Sequence, residues 1–172
     1  MLLKTERRSI EIRIFAANPD SMFVPAELET VLTYLNRLSP DTRPLWGSMS
    51  AQRMVEHLTD TVRIATGKNP QELLIPEDRI DRMVLFLDSE KPMAQNMSVP
   101  FATPEMKLRH DELELAIDEF VDEWLYFEEL FESTEGHKSM HPYYGDLTYE
   151  QWKRLSEKHH THHFAQFGLV GA

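Results

Sequence analysis

Apolar residues recur every three or four positions in four stretches of this 172-residue sequence, and that period restricts the chain to helices packed on one another. The first stretch spans Pro25 to Leu38, with Leu28, Val31, Leu32, Leu35 and Leu38 on one stripe. Proline suits its first turn, where the missing N–H has no partner to lose, and Ser39-Pro40 ends it. The second begins at Ser48 or Ser50, either a good cap, and runs to Thr66 before Gly67. Met54, His57, Leu58, Thr61, Ile64 and Ala65 share its inner face. The third runs from Pro104 to Glu132 behind a Thr103 cap. Its apolar surface comes from Leu108, Leu115, Ile117, Phe120, Val121, Trp124, Leu125, Phe127 and Leu130. The fourth opens on Thr148, with Gln151 three residues on as a capping box, and reaches Phe167 before Gly168.

Residues 67–103 form a crossover between the second and third helices, interrupted by Pro70, Pro76, Pro92 and Pro100, with a short helix over Asp78–Leu87. The expected architecture is an all-α four-helix bundle over residues 24–172. Residues 1–23 read as an N-terminal arm. Ile10, Ile12 and Ile14 alternate with Glu11 and Arg13, which suits a short strand, although a frayed helix fits as well. A lone strand finds no partner in a helical chain, so an arm laid against a second copy in a homodimer is one expectation.

Composition narrows the chemistry. The chain has no cysteine, which excludes disulfides, iron–sulfur clusters, cysteine-ligated zinc and a cysteine nucleophile. Any bound metal has to use histidine and carboxylate. A net charge of −11 with no basic patch argues against nucleic acid as a partner. No apolar run is long enough to cross a bilayer, and the opening MLLKTERRSIEIRIF does not read as a secretory leader, so a cytoplasmic protein is expected.

Four of the eight histidines crowd into KHHTHHFAQF. A helix advances about 100° per residue, so with His159 at zero, Trp152 falls near +20°, Gln166 near −20°, Leu155 near −40° and His163 near +40°. The inner stripe of the last helix therefore carries two imidazoles one turn apart. Such an i, i+4 pair can close on one ion. His162 stands near −60°, and spacing alone leaves it as an alternative partner of His159; His160, near +100°, is expected in solvent. His57 supplies a third inward imidazole from the second helix. Three histidines match a catalytic metal site with a position left for water or substrate.

The stretches PLWGSMSAQRMVEHL, HPYYGDLTYEQW and HHTHHFAQF together resemble the DinB-like superfamily, which includes the YfiT-type metal-dependent hydrolases. The resemblance covers roughly residues 25–168 and is nearest to a bacterial branch with a Trp-Gly-x-Met entry to the second helix, here Trp46, Gly47 and Met49. It implies a four-helix bundle binding a divalent metal, zinc or nickel, on His57, His159 and His163. The family's closing pattern H-x-x-H-H-x-x-Q falls on His159, His162, His163 and Gln166, and it favours His163 over His162 as a ligand. Tyr144 stands where the branch has phenylalanine, adding a hydroxyl near the site. Characterised relatives include thiol-dependent transferases and isomerases, so the resemblance implies a small-molecule substrate and a low-molecular-weight thiol. Hydrolysis is the other outcome.

Around this triad, Asp60 is positioned to orient an imidazole and Glu56 to face solvent. Trp46, Met49 and Met54 read as core or pocket wall. His141 and Tyr144, in the loop before the last helix, are candidates for the pocket mouth, while His137 reads as ordinary surface. The acidic residues Asp111, Glu112, Glu114, Asp118 and Glu119 read as an exposed face. A bundle that keeps the triad only for stability, or binds a small molecule without turnover, is the competing reading.

Overall fold

The computed structural model describes residues 22–97, 99–100 and 106–171. The arm at 1–23 therefore lies almost wholly outside the described residues, as does the Thr103–Pro104 helix start. The described chain is mostly helical. Helix α1 spans Leu28–Leu35, α2 Ala51–Ala65, α3 Ile80–Asp88, α4 Leu113–Ser133 and α5 Tyr149–Gln166. A short hairpin, β1 (Ser139–His141) and β2 (Gly145–Leu147), stands between α4 and α5. The pairing is antiparallel, with Ser139 opposite Leu147 and His141 opposite Gly145.

The caps of α2 and α5 follow from local chemistry. Ser50 accepts the Arg53 N–H at the start of α2. Thr148 and Gln151 bond each other's backbone at the start of α5. Gly67 ends α2 in the left-handed conformation, at φ +73°. Helix α1 is shorter than its apolar stripe, because the chain tightens to three-residue bonds at Arg37 and Leu38.

Helix α4 starts nine residues later than its sequence pattern suggests. Both Glu56 carboxylate oxygens, on α2, accept the Arg109 N–H at 3.0 Å, and one also accepts the His110 N–H at 3.3 Å. Gln52 donates in turn to the His110 carbonyl. These tertiary bonds occupy backbone groups that a helix would need for its own ladder, so residues 106–112 remain irregular. Leu108, in this irregular stretch, is exposed, and Leu115 and Leu125 lie on the solvent side of α4 itself.

The purely helical expectation also missed the hairpin. Its three-residue strands are too short for a period-two signal. It is pinned from both sides: Ser139 donates to the Ala65 carbonyl of α2, and Leu74 of the crossover donates to the Pro142 carbonyl. Gly145 adopts φ +69° beside Ile80, a conformation and a spacing that a Cβ would upset.

The core joins α1, α2, α4 and α5 through Leu35, Met54, Leu58, Phe120, Trp124, Trp152 and Phe164, all essentially inaccessible. Helix α5 is covered on more than its inner stripe. Arg154 and Lys158 reach the carbonyls of Leu87, Ser89 and Lys91 around the end of α3. On the other flank Ser156, His160 and Phe164 are buried. His160, expected in solvent, is 2% exposed and packs among Phe120, Trp124 and Phe164. A helix covered on several flanks buries residues that a one-sided wheel assigns to water.

Candidate metal centre

His57 projects from the middle of α2, and His159 and His163 from successive turns of α5. The two helices bring the three rings into a triangle with centroid separations of 4.7, 4.8 and 4.7 Å and steep interplanar angles of 86°, 77° and 72°. Every ring turns its Nε2 inward. His159 Nε2 lies 2.8 Å from His57 Nε2 and 3.0 Å from His163 Nε2. Among the described residues these are the histidine and carboxylate groups whose ligand atoms cluster as a metal site requires.

Hydrogen bonding alone accounts poorly for this convergence. A ring nitrogen carries either one proton or one lone pair, so His159 Nε2 serves one close neighbour well and not two. His57 Nδ1 is buried without a hydrogen-bond partner among the described residues. Three nitrogens held about 2.05 Å from a tetrahedral ion stand about 3.3 Å apart, a spacing within reach of three ligand atoms that all lie within 4.8 Å of one another. The electrostatics agree. Burial, reinforced by the neighbouring His163, Arg53 and His162, holds His57 well below its ordinary pKa. His159 is lowered in the same way, and burial brings His163 down to about 3. All three rings are neutral near pH 7 and offer lone pairs. His57 and His163 are buried, while His159 keeps partial contact with solvent.

The other sequence candidates distribute unevenly. Gln166 is at the centre's edge: its Oε1 lies 2.8 Å from His163 Nδ1. Its Nε2 donates to the Trp46 carbonyl at 3.0 Å. His162 packs edge-on against both Trp46 and His163, at 5.9 and 5.0 Å between centroids, and bonds the Met93 backbone. It therefore forms wall beside the triad rather than part of it. Trp46 Nε1 is buried with no hydrogen-bond partner among the described residues.

Asp60 does not orient an imidazole. It pairs with Arg53 at 3.0 Å and with Arg109 at 2.5 Å. Glu56, expected in solvent, is fully buried, and Glu119 bonds Arg109, His110 and Arg63. Sequence reasoning missed this network around Arg53 and Arg109. The Arg53–Glu56 spacing was a visible signal, but nothing local marks Arg109.

His141 and Tyr144 belong to the hairpin. His141 Nδ1 accepts the Tyr143 N–H at 3.1 Å, and its ring packs on Tyr144 and Trp152. Tyr144, its hydroxyl pushed up to about 12 by burial, lines a cleft of about 490 Å³ with Ile80, Asp81 and Gln151. No triad ring lines that cleft. His137 is half-buried against Phe131. No helix among the described residues is long and apolar enough to cross a membrane. Comparison with family models, with curated proteins and with solved structures found no match to this chain.

Proposed function

We propose that this chain is a DinB-like, metal-dependent enzyme whose centre is His57, His159 and His163. The observation that carries the reading is the convergence of three neutral Nε2 atoms from two helices on one point. All-imidazole donors suit several divalent transition metals, and the DinB-like resemblance favours zinc or nickel among them. When bound, it supplies Lewis acidity for activating a small thiol or water, which makes the reaction a transfer or a hydrolysis on a small molecule. In this reading α1, α2, α4 and α5 are the four helices of the bundle, and α3 rides in the crossover.

The protein's own groups have simpler tasks. The three rings present lone pairs from fixed positions. Trp46 and His162 wall one flank, and the buried Trp46 Nε1–H is a donor available to a substrate acceptor. The partial exposure of His159 gives the route from solvent. The net charge of −11 disfavours nucleic acid, and a cytoplasmic homodimer joined through residues 1–23 completes the proposal.

A second reading has one observation in its favour. The cleft beside Tyr144 does not include the triad, as expected if the ion only stabilises the bundle. Metal analysis of tag-free protein beside His57→Ala and His159→Ala variants tests the centre itself. About one equivalent of metal in the parent and a large loss in both variants is expected; full retention in both sinks the triad. Assay of the loaded protein against a panel of thiols, electrophiles and esters then separates the readings, and turnover abolished by the same substitutions favours the enzyme.

A further inference from the structure

The entry to α2 and the end of α5 are joined by a contact that reaches the metal centre. The Leu45 N–H donates to the Gln166 carbonyl at 2.7 Å, and the Gln166 side-chain Nε2 donates to the Trp46 carbonyl at 3.0 Å. A carbonyl can only accept, so the amide end facing Trp46 is the NH₂ group. The opposite end, Oε1, therefore faces His163 Nδ1, 2.8 Å away. An amide oxygen can only accept as well, so His163 Nδ1 carries the proton. The remaining nitrogen, Nε2, holds the lone pair and faces His159 and His57. Gly47 makes room for this chain of bonds: a Cβ there would lie 3.1 Å from Gln166 Nε2, and its φ of +76° disfavours any other residue.

We infer that Gln166, oriented by the Trp46 carbonyl over Gly47, is a positioning residue that locks His163 as the Nδ1–H tautomer and so delivers its Nε2 lone pair to the centre. The inference deepens the metal-centre reading, but its tautomer half stands independently of any ion. It also gives the Trp-Gly pair a physical reason. The tryptophan position supplies a backbone acceptor, and the glycine supplies the space for the glutamine to reach it.

The test is long-range ¹H–¹⁵N correlation on the chelator-treated full chain with ¹⁵N-labelled histidine, which distinguishes the two neutral tautomers. It is combined with titration of Zn²⁺ and Ni²⁺ alone. The parent is expected to show His163 as Nδ1–H. Gln166→Leu, similar in size but unable to accept, should release the tautomer and weaken metal binding by roughly 10–100-fold. Gln166→Glu keeps an acceptor and should retain the Nδ1–H form, with affinity closer to the parent than to the leucine variant. A merely structural glutamine would leave the tautomer unmoved in both. The inference is overturned if the parent's His163 carries its proton on Nε2, a reading that needs no variant to fold. A folded Gln166→Leu protein with unchanged tautomer and affinity also overturns it. A parent that binds neither ion yet shows the Nδ1–H form supports the lock and sinks the metal centre instead.

Discussion

Replacing Glu56 by alanine removes the carboxylate that accepts the backbone N–H groups of Arg109 and His110 and so helps hold residues 106–112 against α2. The side chain is fully buried and accepts N–H groups from Arg109, His110 and Gln52. Each hydrogen bond to a charged acceptor contributes about 1.5–3 kcal/mol, and the three do not add, because water reaches some donors once the carboxylate is gone. Arg53, itself 1% exposed, would keep Asp60 but lose its other carboxylate neighbour. Breaking a buried charged pair from one side costs about 3–5 kcal/mol. An expected loss of about 4 kcal/mol follows, against about 1–2 kcal/mol for Glu56→Gln, which keeps the shape and one acceptor. Urea unfolding measures both, and an unchanged slope shows that stability rather than compactness has moved. Hydrogen exchange at the Arg109 and His110 amides locates the loss. A cost under about 1 kcal/mol for the alanine variant would refute the argument, because the buried carboxylate would then be no better an acceptor than water.

Three further outcomes are expected. Zinc or nickel at a hundred times its dissociation constant should stabilise the fold by about 2.7 kcal/mol, raising Tm by roughly 5–11 °C. The His57→Ala variant should show no such shift, and an equal shift in it would count against the triad. Burial lowers the His141 pKa to about 3 from an ordinary 6.5. Below pH 6.5 the unfolded chain therefore takes up a proton that the folded chain refuses, and stability falls by up to about 1.4 kcal/mol per pH unit toward pH 3. Urea midpoints of His141→Gln between pH 7 and 5 should decline less steeply than the parent's; parallel declines would exclude His141 as the cause. Gly145→Ala forces φ +69° on an L side chain and places its Cβ 3.1 Å from Ile80, so Tm should drop by the equivalent of about 1–3 kcal/mol. An unchanged Tm would mean that the hairpin turn relaxes freely.

Much of the helical content was legible because its causes are local. Caps at Ser50 and Thr148 and stripes at helical spacing depend on neighbours three or four residues away. The same periodicity placed His159 and His163 on one face and His57 on another helix's inner face. Periodicity failed where distant groups compete for the backbone or cover a second flank. The start of α4 at Leu113 depends on a carboxylate more than fifty residues away, and the burial of His160 depends on aromatic rings of α4.

By itself the sequence determined which residues are equipped to hold an ion, since no cysteine is available and three histidines face inward. Only the tertiary structure decided that their Nε2 atoms meet, that Asp60 serves Arg53 and Arg109 instead of an imidazole, and that Gln166 stands behind His163. The physical reason is that side-chain type and helical phase are local properties. Convergence of donors, burial and the partner each polar atom finds are set by helix packing and by segments far apart in the chain.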